Sequence, residues 1–583
     1  MNASLVVRTF ILIAACLCLI PSAYAAEESP VSTETEEITE SLPDEEETVP
    51  AQEEPPTRID FTKIEGMGLY RKQSEGGLGR DLWLNSKRSE VISLIENMPV
   101  SSSSPVVYKL VLQTLLTEAD MESMQNDITP EAGHDLLTLR LEKLLQAGAY
   151  KHAFDLYSQI KAEPYHERIA KAGILAMLYN GEKSLACLET NATQESFPES
   201  EFLKEVSAYC DVTLAEQPDA EKLAALESSQ HKLLAPLASQ KTYRFQYSPE
   251  AYAALSPLEQ AALIAESKLD LSGVDIQTVP VEHIQALLKD QNLDEKQRFL
   301  LTAQTVYWGL GHGDDLKKLY KASIAPAAGE SPDMAATAAS PQEDWQKLPF
   351  LYQRVENASK GEERWKIISE TLLLHNTMET PVFLPFAEFI RQEAPQDANF
   401  SEIVAAYKIM TAAGISIPRA WSDLASQNDM QDIDKSQYLL LLTAAYSSQS
   451  EGKKSPEKQE KLLSVLEESD NSTQEFVNNI IENVDKGYAT HDNALKAYEK
   501  EYYLTFELDY VMPSVFVWDR MKKTSQAKAV GETILLNSVL LSDQALHKTY
   551  PGLLRDVLQG FESVGLTNIS QDLVISASLG NIK

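Results

Sequence analysis

From about residue 85 onward, apolar side chains return every three or four positions. Leu137, Leu141, Leu144 and Leu145 stand at i, i+4, i+7 and i+8. Val477, Ile480, Ile481 and Val484 stand at i, i+3, i+4 and i+7, and Leu554, Val557, Leu558 and Phe561 repeat that spacing. Each set makes one apolar stripe along a helix. Helix starts are expected at Thr129-Pro130-Glu131, Ser248-Pro249-Glu250, Ser256-Pro257-Leu258-Glu259 and Ser455-Pro456-Glu457. In each, a hydroxyl cap precedes a proline, whose missing N–H is no loss at the first helical position. Ser256 with Glu259 also fits a capping box. Alternation of period two is confined to Tyr243-Arg244-Phe245-Gln246-Tyr247. A lone short strand has no obvious partner, so an extended connector is expected there. The pattern predicts an all-α protein.

The ends and one interior stretch break the helical pattern. Arg8, the apolar run Phe10 to Ile20, Pro21 and the small residues of Ala23-Tyr24-Ala25 read as a secretory signal over residues 1–25. The run is too short for a bilayer, which takes about 20 residues. The mature chain is then expected to begin at Ala26. Export makes the periplasm the expected location. Ile13-Ala14-Ala15-Cys16 has the shape of a lipobox, so a lipid anchor on Cys16 is the alternative. Residues 26–56 are rich in Glu, Thr, Pro and Ser and cannot repay the entropy of ordering, so a disordered segment is expected. Residues 324–344, dominated by Ala, Pro and Ser, read as a linker or mobile loop. It divides an N-terminal helical lobe (57–235, continued by 236–323) from a C-terminal one (345–583). No later stretch is long and apolar enough to span a membrane.

Charge narrows the partners. The whole chain carries −36, and residues 26–56 hold 12 acidic side chains without a Lys or Arg. Such a surface repels phosphates and anionic headgroups, so nucleic acid and bare membrane are poor partners. Of the four cysteines, Cys16 and Cys18 fall in the signal; Cys187 and Cys210 remain. Two cysteines make no disulfide scaffold, so an apolar core must hold the fold, and 43% hydrophobic residues suffice for one.

Gly148, Tyr150, Ala153 and Tyr157 occupy a turn and the helix after it. Their spacing resembles the turn and second helix of a tetratricopeptide repeat. Gly181 and Ala186 follow Gly148 and Ala153 by 33 residues; Ala215 and Ala220 follow those by 34. That is the tetratricopeptide period, in which small residues let neighbouring helices approach and stacked pairs share a core. Leu137 and Leu141 stand where the family's first helix carries other residues, and the period fades after about residue 235. The resemblance covers residues 134–230 and implies a degenerate α-solenoid of helical hairpins. The overall layout also resembles the uncharacterised exported helical proteins of bacteria. In the repeat register, Cys187 lies mid-way along one second helix and Cys210 late in the next first helix. Their Cα atoms are then expected within about 7 Å, the range a disulfide bridges. A bond and two buried thiols both fit that placement.

Catalytic motifs are sparse. Neither a Gly-x-Ser-x-Gly elbow, a His-Glu-x-x-His pair nor a phosphate loop ending in Gly-Lys-Ser/Thr is present. Gly76-Gly77-Leu78-Gly79 reads as a turn, and Gly311-His312-Gly313-Asp314-Asp315 as a helix-to-helix turn, short of the ligands a metal needs. His491-Asp492 puts a carboxylate beside a second histidine. Glu199-Ser200-Glu201-Phe202 resembles the opening of a lytic transglycosylase catalytic region, which would make Glu199 a general acid. That family's following proline and Gly-Leu-Met-Gln stretch are missing here. The aromatic group Tyr502, Tyr503, Phe506, Tyr510, Phe516 and Trp518 is expected to pack a core. The expectation is an exported helical scaffold that binds proteins in the cell envelope, with no catalytic residue, cofactor or metal assigned. A peptidoglycan-active enzyme and a structural envelope component are the alternatives.

Overall fold

Ser104 shows how the helices begin. Its hydroxyl accepts the Val107 amide, Pro105 takes the first helical position, and the helix Pro105–Leu116 buries eight of its side chains. Repeated along the chain, this grammar yields 27 α-helices among the described residues, and the fold is all-α. The computed structural model describes residues 60–160, 164–215, 219–322, 343–393, 398–427, 433–449, 456–485, 514–542 and 545–582. The signal, the acidic segment, nearly all of the 324–344 stretch, His491-Asp492 and the aromatics Tyr502 to Tyr510 lie outside them.

Two local expectations are corrected. Thr129-Pro130-Glu131 starts no helix; the helix begins at Leu136. Asp135 is its cap, accepting from the Thr138 amide at 3.0 Å and from the Tyr165 hydroxyl at 2.8 Å. A carboxylate caps as well as a hydroxyl, and the Thr-Pro signal is satisfied by a turn instead. The Tyr243–Tyr247 stretch does find a partner. Phe245–Gln246 pairs in parallel with Leu269–Asp270, the only named strands among the described residues. The pairing partner lies beyond two intervening helices, so no local pattern announces it. Ser248 and Ser256 cap their helices as expected, and Ser256 and Glu259 complete the capping box.

Three consecutive helix pairs follow the first helices: Leu136–Gln146 with Tyr150–Tyr157, Glu167–Tyr179 with Lys183–Gln194, and Glu201–Leu214 with Ala220–Ser228. Each helix packs on its predecessor, and Leu136–Gln146 also packs on Glu167–Tyr179. A buried ion pair fastens the segment before them. Arg88 donates to both oxygens of Glu65 at 2.6 and 2.7 Å, and the Leu136 amide donates to Glu65 at 3.0 Å. Burial pushes the Glu65 carboxyl up while Arg88 opposes the shift.

After residue 228 the chain folds back. The helix Pro257–Ala265 packs on Glu167–Tyr179, and Val281–Leu287 approaches the Gly148 turn. The last pair is followed instead by the short helix Leu234–Ser239, which packs on both Glu201–Leu214 and Ala220–Ser228. The later helices return to the first ones. Val530–Leu541 packs on Arg88–Asn97 and Pro105–Leu116, and Thr567–Gly580 packs on Pro105–Leu116. The Gly531 amide donates to Leu82 at 2.8 Å, and Arg520 pairs with Glu90. Gly531 is required there, because a Cβ would stand 2.3 Å from the Trp83 ring. The described residues therefore pack as one body.

Candidate functional site

The glycines at the two hairpin turns set the geometry. Gly148 and Gly181 have φ of +74° and +79°, the left-handed conformation that ends a helix. The next helix in each case begins two residues later, with Ala153 and Ala186 fully buried in its first turns. At Gly148 the demand is double: a Cβ would lie 2.2 Å from the Glu282 carbonyl oxygen. Tyr150 donates to that same carbonyl at 3.2 Å and stacks on Tyr179 with ring centroids 3.9 Å apart. Tyr179 in turn donates to Gln260 at 2.8 Å. The turn end of the hairpins is thus closed by the returning chain.

One face of these helices is open. A groove of about 400 Å³ runs between Tyr150–Tyr157 and Lys183–Gln194. Phe154, Tyr157, Met177, Leu185, Ala192 and Thr193 are among its lining residues. Tyr157 lies flat on the preceding face of Glu167–Tyr179 because Gly173 leaves room; a Cβ there would meet the ring at 2.3 Å. Its hydroxyl donates to Glu189, and burial together with that carboxylate pushes the phenol well above its usual range. The site therefore presents a mixed lining, apolar at Phe154, Met177, Leu185 and Ala192 and polar at Ser158, Thr193 and the Glu189 carboxylate. Leu185 lines the groove and is 38% exposed; Leu188, at i+3 of the same helix, is 66% exposed.

Between them, Cys187 is bonded to Cys210, with Cα atoms 5.7 Å apart. The bond joins Lys183–Gln194 to Glu201–Leu214 and holds the two together. The remaining repeat-packing residues divide. Gly148 and Ala153 sit at places equivalent to those of Gly181 and Ala186 in two successive hairpins, and Tyr150 and Tyr157 pack the first of them. Ala215 and Ala220 do not join them: both are exposed, at the end of one helix and the first position of the next. The third pair packs through Cys210, Val212 and Leu226 instead. Gly173, Asn180 and Glu189 were not singled out by spacing. Gly173 carried a usable signal, since glycine inside a helix is unfavourable by about 1 kcal/mol and calls for a packing reason.

The other candidates lie apart. Glu199 precedes the helix capped by Ser200, and its side chain is 96% exposed with Lys204 3.8 Å away. His312, Asp314 and Asp315 are exposed, and the aspartates pair with Lys317 and Lys318. Among the described residues no cluster of His, Cys, Asp and Glu is arranged to hold a metal. Trp518 is buried and donates to Asp556 at 3.0 Å, whereas Phe516 is exposed. No helix of the described residues is long and apolar enough to cross a membrane. Comparison with protein-family models, curated proteins and solved structures finds no match to this chain.

Proposed function

We propose that this is an exported helical-repeat protein that binds protein partners in the cell envelope. The reading includes a short degenerate solenoid over residues 134–230, carried by tetratricopeptide-like hairpins, and a linker about residues 324–344 between two lobes that pack on each other. The observation that supports it best is the groove beside Leu185 and Leu188. Two leucines on one helix face, left in water beside a groove with apolar patches, are what a partner's apolar side chain covers. The acidic surface keeps phosphate polymers away and leaves proteins as the natural class of partner. A photoreactive phenylalanine at position 188, with a control at exposed Lys241, tests this in intact envelopes. Adducts from 188 alone, lost when Leu185→Glu is added, are expected. No adduct from 188, or equal adducts from both positions, would remove the groove from the proposal.

The transglycosylase reading gains no support from Glu199, which has no wall of protein around it. General-acid work requires a carboxyl held in a shielded site. A zymogram on peptidoglycan with Glu199→Gln separates that reading from the scaffold.

A further inference from the structure

Away from the groove, three elements bring a hydroxyl, an imidazole and a carboxylate into line. Glu205 lies on the helix Glu201–Leu214, His231 in the loop before Leu234–Ser239, and Ser256 at the start of Pro257–Ala265. The Ser256 Oγ is 2.8 Å from His231 Nδ1, and His231 Nε2 is 3.2 Å from Glu205 Oε2. The loop is braced from within: the His231 amide donates to Ser229 Oγ at 3.0 Å. Both the His231 and Glu205 side chains are 16% exposed, shielded yet reachable. Ser256 is half-buried.

We infer that Ser256, His231 and Glu205 form a nucleophile–base–orienter site that accepts the acyl group of a small activated ester. The carboxylate fixes the tautomer. Glu205 accepts from Nε2–H, which leaves the Nδ1 lone pair facing the Ser256 hydroxyl. The two ring nitrogens exchange the roles they hold in the familiar serine-hydrolase order, but the logic is the same. Oγ attacks the ester carbonyl carbon while its proton passes to Nδ1. The C–O bond then breaks, Nδ1 returns the proton to the leaving alkoxide, and water later hydrolyses the acyl-serine. Negative charge developing beside Oγ meets the N-terminus of Pro257–Ala265, where Leu258 holds a first-turn amide that the helix itself does not use.

Ser256 has a competing role. Its Oγ also caps its helix, accepting the Glu259 amide at 3.3 Å, and stands 2.9 Å from Glu259 Oε2. Glu259 is a rival acceptor for the same proton, although it already takes the Ser256 amide at 3.1 Å and the Leu233 amide at 3.1 Å. A purely structural Ser256 would be an unreactive cap, so reactivity is the property to measure.

The full mature chain is treated with a fluorophosphonate, whose phosphorus takes Oγ as fluoride departs, and the modified peptide is mapped by mass spectrometry. One adduct on Ser256 is expected. His231→Gln should slow its formation at least about 100-fold, the usual share of a general base. Ser256→Asp keeps a helix cap and should abolish the adduct with the fold intact by circular dichroism. No adduct on Ser256 in the folded wild type, or an unchanged rate in His231→Gln, overturns the inference.

Discussion

Asp572 provides a direct test of how the later helices sit on the first ones. It lies on the helix Thr567–Gly580, half-buried, with Lys109 of Pro105–Leu116 as the charge opposite. Burial raises its carboxyl from the ordinary 3.8 to about 6, and Lys109 offsets only part of that. The same burial lowers Lys109 to about 8, although its ammonium donates to the Ala412 carbonyl at 3.0 Å. A carboxyl whose pKa is higher folded than unfolded contributes stability below the unfolded value and loses it as pH rises through the folded one. Between about pH 4 and 6, ionisation of Asp572 should therefore weaken the fold. The displacement corresponds to about 3 kcal/mol, which residual solvent contact brings down to about 1–2 kcal/mol. Asp572→Asn should be more stable than wild type by that amount at pH 7 and indistinguishable from it near pH 4. Urea melts at five values from pH 4 to 8 measure this. Lys109→Met should be more harmful in the wild-type background than in combination with Asp572→Asn, because only the carboxylate needs the opposite charge. A stability difference that is flat across the range, or of the opposite sign at pH 7, would refute the burial argument.

Four further outcomes are expected. Gly148→Ala, strained in φ and aimed at the Glu282 carbonyl, should destabilise by about 2–4 kcal/mol, whereas Gly181→Ala, with open space around it, should cost about 1 kcal/mol; denaturant melts compare them. Denatured, unreduced mature protein should titrate no free thiol, and Cys187→Ala with Cys210→Ala should cost about 3 kcal/mol for the loop of 23 residues. Asn537 is fully buried with both side-chain amide atoms unpartnered among the described residues, so Asn537→Leu should raise stability by about 1–2 kcal/mol by thermal melt. A protease site inserted within residues 324–342 should, once cut, leave two fragments that co-elute on gel filtration, since Gly531, Arg520 and Lys109 all bridge them; separate elution would favour independent lobes.

What was legible in the chain was local. Ser248, Ser256 and Glu259 announced their helix starts because a cap and a first-turn proline act within four residues. The stripes at Leu137 and Leu554 marked buried faces because a helix repeats itself without reference to the rest of the fold. Asp135 escaped notice because the Thr129-Pro130 signal resembled a cap more closely than a lone aspartate did. The pairing of Phe245 with Leu269 escaped for a different reason: two residues of strand carry no period, and their partner lies beyond two helices.

The two candidate sites were hidden by the same locality. A tetratricopeptide-like spacing identifies hairpins, but it does not say which of their faces stays open. That is decided by the returning chain. Gln260 bonding to Tyr179, and the Glu282 carbonyl settling on Gly148, close the turn end of the hairpins and leave the groove along one face. No motif links those residues; they meet because Glu167–Tyr179, with ten of its 13 residues buried, has to be covered on several sides at once. The same return carries Ser256 to His231 and Glu205. Read along the chain, Ser256 is a helix cap, and that reading is correct. Its hydroxyl also has a proton to donate, however, and the fold-back decides which acceptor stands beside it. The Ser256 site depends on that folding event directly: weakening the Pro257–Ala265 packing, for example by Ala261→Asp at a fully buried position, should disturb the Ser256 geometry while leaving the exposed Leu185–Leu188 face in place. Loss of fluorophosphonate labelling with retained cross-linking from position 188 is the expected pattern. Simultaneous loss of both would mean that the hairpins do not stand without the helix that returns to cover them.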